Sequence, residues 1–179
     1  MPFLRRGFEG VIGEFLVLAA LPALLLAAAC WDIASFTIPN FIQAALIASF
    51  LVFAVATGMP AAAFGAHLLA GSIGLAVGFA LFAFGYIGGG DAKLFACASL
   101  WLGLADLPSY ALIASVFGGG LTLALLSFRG VPLPGVLARQ GWVMRLHDRA
   151  SGVPYGVALA AGALAIVLYT DGLRSRLLG

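Results

Sequence analysis

Charge is what this chain has least of. Only 9% of its 179 residues are Asp, Glu, Lys or Arg, and the formal net charge is +2. A polyanion needs clustered positive charge, so nucleic acid is not expected as a partner. Cysteine is nearly absent. Cys30 and Cys97 are the only two, with no CxxC pair, which excludes a zinc ribbon and a disulfide framework. No HExxH occurs, so a zinc protease of that type is excluded, and no P-loop or dinucleotide fingerprint is present. Neither a metal nor another cofactor is expected.

What is present is apolar surface. The chain is 63% hydrophobic, with a mean hydropathy of +1.13. A soluble domain of this size has no use for so much. The composition reads as a single integral membrane domain, all-α and polytopic. Six candidate spans fall at about 14–31, 41–57, 61–86, 92–105, 109–128 and 154–170. Turn chemistry separates them at Ile38-Pro39-Asn40, Gly58-Met59-Pro60, Gly88 to Gly90, Asp106-Leu107-Pro108 and Gly152-Val153-Pro154. Pro39 suits the first turn of span two. The fourth span is short for a full crossing and runs toward Asp106. Arg5 and Arg6, followed by an apolar run ending Ala27-Ala28-Ala29-Cys30, have the outline of a secretory or lipoprotein signal. More spans follow at once, and Ala27 stands where a lipoprotein signal has Leu, so the first span is read as retained.

Against this background two carboxylates stand out. Asp32 closes span one, and Asp91 opens span four in Gly88-Gly89-Gly90-Asp91-Ala92-Lys93. A carboxylate beside the hydrocarbon is costly and usually has a function or a partner. Two spans lie between them, so both face the same compartment at similar depth. Two such groups that meet can share a proton. The charged one polarises a water and the neutral one protonates the scissile amide, which is the minimum equipment of an aspartic protease. Blander readings stand beside this one. Asp91 suits a helix N-cap, and Asp32 suits an ion pair with Lys93 or an arginine. Three glycines leave the backbone bare for a peptide to approach. Lys93 suits a substrate carboxylate, a partner for Asp91, or simple snorkelling.

Other chemistry is thin. His67 lies in span three, away from the aspartates, and reads as a hydrogen-bonded packing residue; His147 has no Ser or Cys partner. Gly71, Gly74 and Gly78 in span three, and Gly118 to Gly120 in span five, read as close helix packing. The polar segment 129–153 carries Arg129, Arg139, Arg145 and Arg149 against Asp148. It suits a solvated loop or a short basic amphipathic helix on the membrane surface. With the aspartates inside, that side holds five Lys or Arg residues. The other holds Arg5, Arg6, Arg174 and Arg176, so the loop arginines place the aspartates in the cytoplasm and both termini outside.

Three motifs at span ends now form an ordered set: Trp31-Asp32-Ile33 through Thr37-Ile38-Pro39-Asn40, then Gly88-Gly89-Gly90-Asp91-Ala92-Lys93, then Val153-Pro154-Tyr155-Gly156. Together they resemble the type IV prepilin peptidases, intramembrane aspartic proteases with a GxGD motif, over about residues 14–170. The resemblance implies that Asp32 and Asp91 are catalytic and lie near the cytoplasmic surface of the bacterial inner membrane. It implies that Pro154, Tyr155 and Gly156 help to shape the site. The expected substrate is a prepilin or pseudopilin leader, with the lipid bilayer and the pilus assembly machinery as partners. The larger members carry a cytoplasmic insertion with paired CxxC motifs and a methyltransferase activity. This chain has neither, and looks like the short form found with Tad/Flp pili. Presenilin and signal peptide peptidase share GxGD but carry Pro-Ala-Leu where this chain has Pro154-Tyr155-Gly156. A reading from another class is a small transporter or channel subunit with a carboxylate ion site. Against it, the aspartates sit at span ends rather than at the midplane, and no inverted repeat is visible.

Overall fold

A computed structural model describes Gly13 and residues 15–169. Arg5, Arg6, Asp171, Arg174 and Arg176 lie outside the described residues, as does the expectation for the two termini. A π-helical turn, Leu16–Ala20, leads into α1, Leu21–Ser35. Then follow α2, Asn40–Ala56; α3, Ala61–Ala83; and α4, Gly89–Phe128. A 3-10 turn, Leu137–Arg139, and the short α5, Gly141–His147, precede α6, Tyr155–Tyr169. The described residues hold no strand. The protein is the all-α polytopic membrane protein that its composition implies.

Large apolar side chains such as Val55, Phe79, Leu112 and Leu123 are exposed on the outward faces, as expected where lipid replaces water. The inward faces close around Trp101, which is buried and donates Nε1–H to the Leu46 carbonyl at 2.9 Å. Phe50 and Phe53 pack on its indole with centroids 5.6 and 5.5 Å away. That cluster joins α2 to α4. Small residues join α3 to α4. A Cβ at Gly74 would lie 2.5 Å from Ser99 Oγ, and one at Gly78 would lie 2.9 Å from the Ala92 carbonyl oxygen. The helix-packing reading of those glycines holds. On the other side, a Cβ at Gly162 of α6 would lie 3.0 Å from Ala114 of α4.

Helix α4 decides the number of crossings. Forty straight residues would span about 60 Å, twice the hydrocarbon thickness of about 30 Å. The helix breaks at Gly103, whose φ of 77° and ψ of 177° are far from helical. Phe95 and Tyr110 stack with ring centroids 5.1 Å apart. In a straight helix their separation of fifteen positions would set them about 22 Å apart. The second limb therefore turns back along the first, so α4 supplies two of the six apolar helical segments among the described residues.

This corrects one boundary. The reversal was expected at Asp106-Leu107-Pro108, but it lies at Gly103. A φ of +77° is open to glycine and strained for other residues. Pro108 instead sits inside the second limb, five residues past Gly103, where it gives up one helical hydrogen bond. Likewise Pro39 is the N-cap of α2 rather than part of its first turn. The break leaves the Leu100 carbonyl without its helical partner, and His67 Nδ1–H donates to it at 2.8 Å. His67 is thus the hydrogen-bonded packing residue that its position in span three suggested.

Candidate active site

Asp32 lies in the last turn of α1 and Asp91 in the first turn of α4, and both are buried, at 3% and 6% exposure. The helix carrying Asp91 starts earlier than expected. Gly88 is its N-cap and Asp91 stands three residues on, with Oδ2 accepting the Gly88 N–H at 3.0 Å. Asp91 is therefore not the N-cap residue but the returning half of a capping box. Gly89 and Gly90 are helical, so the glycines do not form an extended strip.

The third element is the start of α6. Gly156 N–H donates to Asp32 Oδ2 at 2.8 Å. Asp91 comes to the same place because Gly90, beside it, and Gly156 both pack against Ile38. Three helix ends, from α1, α4 and α6, thus converge on one backbone N–H and two carboxylates. Like charges held this close do not both ionise easily.

Packing around the pair explains two glycines. Ile38, buried in the α1–α2 loop, wedges between α4 and α6. A Cβ at Gly90 would lie 3.2 Å from both Ile38 N and Ile38 Cβ. At Gly156 it would lie 2.7 Å from Ile38 Cδ1 and 2.8 Å from Asp32 Oδ2. The space at Gly90 is taken by the protein's own loop. That loop is set by Phe36, which ends α1 in a left-handed conformation (φ 56°) and donates its N–H to the Asp32 carbonyl at 2.7 Å.

Of the remaining expected residues, Pro154 is buried behind Gly156. Tyr155 packs its ring on Gly118 and sets its hydroxyl 3.4 Å from Thr122 Oγ1. Lys93 is exposed and turns toward α2, where Nζ donates to Asn40 Oδ1 at 2.8 Å. Asp148 accepts the Ala150 N–H at 2.9 Å in the loop. Asp106 lies beyond the Gly103 reversal, at the other end of the bundle.

Three contacts were not foreseen. Gln43, buried on α2, donates Nε2–H to the Gly90 carbonyl at 3.3 Å, beside Asp91. The signal was an amide inside an apolar run. Arg145 donates to the Ala34 carbonyl at 2.8 Å, capping the end of α1 next to Asp32. Arg129 is buried and donates from Nε to the Leu146 carbonyl at 2.7 Å and from Nη2 to the Gly152 carbonyl at 2.8 Å. Arg129 and Arg145 thus tie the segment 129–153 to the aspartate end, while residues 130–142 are almost all exposed. Among the described residues, Lys93 and all four arginines belong to that end.

A family model described as the type IV leader peptidase family matches residues 19–123. The match covers more than half of the chain and includes both aspartates. The chain belongs to the type IV leader peptidase family. No curated protein and no solved structure matches it. For a leader peptidase, the matched segment supplies the carboxylates. The Gly156 N–H that pins one of them comes from beyond it, on α6.

Proposed function

We propose that this peptidase is a membrane-embedded aspartic endopeptidase that removes the short basic leader of Flp-type prepilins and pseudopilins at the cytoplasmic face of the bacterial inner membrane. The observation that carries the reading is the convergence of the helix ends bearing the buried Asp32 and Asp91 on Gly156 and Ile38. Hydrolysis of an amide by two carboxylates needs one charged and one protonated at the same pH, and proximity supplies that asymmetry. The charged member takes a proton from water as it attacks the scissile carbonyl. The protonated member then gives its proton to the leaving nitrogen. Gly156 N–H holds Asp32 in one orientation and Gly88 N–H holds Asp91.

The cytoplasmic assignment rests on the arginines. Lys93 and the arginines of 129–153 gather at the aspartate end, which favours the cytoplasm under the positive-inside rule. A basic, partly apolar strap also suits the anionic surface of that leaflet. Membership of a peptidase family weighs toward hydrolysis and against an ion carrier. The test is cleavage of a purified prepilin by the protein reconstituted in liposomes, followed on a gel. Loss of cleavage in Asp32→Asn and in Asp91→Asn, with insertion intact, is the expected result. Processing by either variant would end the aspartic reading.

A further inference from the structure

A seam of polar contacts runs along the interface of α2 with the first limb of α4. Asn40, Gln43 and Leu46 recur every three residues on α2, and Gly90, Lys93, Cys97 and Trp101 recur every three or four on α4, so each set occupies one helix face. Lys93 Nζ donates to Asn40 Oδ1 at 2.8 Å, Cys97 Sγ–H to the Gln43 carbonyl at 3.8 Å, and Trp101 Nε1–H to the Leu46 carbonyl at 2.9 Å. Gln43 Nε2–H runs the other way across the seam, to the Gly90 carbonyl at 3.3 Å.

That last bond makes poor sense as a source of stability. Gln43 is 5% exposed, and its Oε1 accepts no hydrogen bond from any described residue. Burying half an amide unpaired is costly, and a single interhelical bond inside a bilayer returns little. The Gly90 carbonyl does not depend on it either, since helix α4 offers it the Leu94 N–H. An unbranched apolar side chain of similar length would suit this place at least as well.

We propose that Gln43 is a positioning residue for Asp91. The Gly90 carbonyl and the Asp91 N–H are the two ends of one planar peptide unit. A donor fixed on α2 therefore sets the plane from which the Asp91 side chain departs. Ile38 fills the space beside Gly90, and the Gly88 N–H holds the Asp91 carboxylate itself. Gln43 supplies the remaining restraint, the one on the backbone of the turn. This role rests on the peptidase reading above and deepens it.

The test compares two variants of the full chain in liposomes, by steady-state cleavage of a purified prepilin and by thermal melts. Gln43→Met keeps the length of the side chain and loses the donor. Trp101→Phe loses the seam's bond ten residues beyond Asp91, about 15 Å along the helix. Gln43→Met should melt at or above the temperature of the unmodified protein, with KM unchanged. Its kcat should fall about 10-fold, part of the roughly 100-fold that a full 1 Å misplacement costs. Trp101→Phe should melt lower with kcat unchanged. Normal kcat in inserted Gln43→Met protein would overturn the proposal. A raised KM at constant kcat would overturn it too, by placing the amide on the substrate. So would falls in kcat that follow the melting temperature in both variants, since Gln43 would then be a packing residue like Trp101. If Gln43→Met does not insert, Gln43→Leu takes its place; failure of both would show that the amide is required for folding and would end the positioning role. Failure of the unmodified protein to cleave any prepilin would instead refute the peptidase reading, and this role with it.

Discussion

Gly156→Ala is the smallest change that tests the geometry of the carboxylate pair. It removes no donor and adds one methyl group. That methyl would sit 2.8 Å from Asp32 Oδ2 and 2.7 Å from Ile38 Cδ1. Ordinary contact between non-bonded heavy atoms begins near 3.5 Å, so something must yield by about 0.7 Å. The Ile38 methyl is the end of a flexible side chain and can swing aside. The Asp32 carboxylate cannot retreat without stretching its bond to the Gly156 N–H. Overpacking of this kind costs about 1–3 kcal/mol of stability. A displacement approaching 1 Å at the reacting groups costs on the order of 100-fold in rate. Prepilin cleavage should therefore fall by roughly that factor, mainly in kcat, while the protein still inserts. Gly65→Ala is the control, because a Cβ at Gly65 of α3 meets nothing within 4 Å. It should leave cleavage unchanged and stabilise the helix by about 0.5–1 kcal/mol. Gly156→Ala enzyme with normal kcat would refute the arrangement in which Gly156 presses on Asp32.

Asp32→Asn and Asp91→Asn should each nearly abolish cleavage in membranes, and the double variant should be little worse than either, because residues that act as a unit fail together. A working double variant would exclude the pair. Asp106→Asn and Asp148→Asn should keep activity, since neither belongs to the converging helix ends. The pH–rate profile should be bell-shaped, since one carboxylate must be charged and its partner protonated, and cleavage should continue in EDTA; restoration by zinc after loss in EDTA would contradict the mechanism. Arg139→Ala should leave cleavage within a few-fold, whereas Arg129→Ala should lower stability by about 1.5–3 kcal/mol, because it strips a charged donor from two carbonyls. Equal melting temperatures for the two variants would show that the strap does not depend on Arg129.

The fold was legible where the physics is local. Apolar runs of bilayer length and dense turn residues marked out helical segments whose bounds lie mostly close to those observed among the described residues. The exception at Gly103 has a clear cause. A lone glycine between leucines carries no turn signature, and its positive φ depends on a reversal that only the packing of Phe95 on Tyr110 and the His67 bond reveal. At the site, parity of crossings brought Asp32 and Asp91 to the same end, which needs only counting. The contacts that complete the site join distant segments. Gln43 reaches Gly90, Arg145 reaches Ala34 and Ile38 separates Gly90 from Gly156, and no spacing along the chain encodes those meetings. The glycines of the Gly88–Asp91 turn illustrate the difference. Their small size was legible as a need for close approach. That the approaching chain at Gly90 is the protein's own loop was not.

The torsion at Gly103 also has a consequence for how the protein is made. Its helix covers 40 residues with only Asp91, Lys93 and Asp106 charged, and an insertion apparatus could pass it through the bilayer once, as a single overlong helix. Read that way, everything downstream of Phe128 would emerge on the wrong side. The arginine strap would face the opposite compartment, and Gly156 would be a membrane's width from Asp32. A single residue's backbone angle therefore acts as a parity bit for biogenesis, deciding whether the two halves of the catalytic apparatus are ever delivered to the same surface.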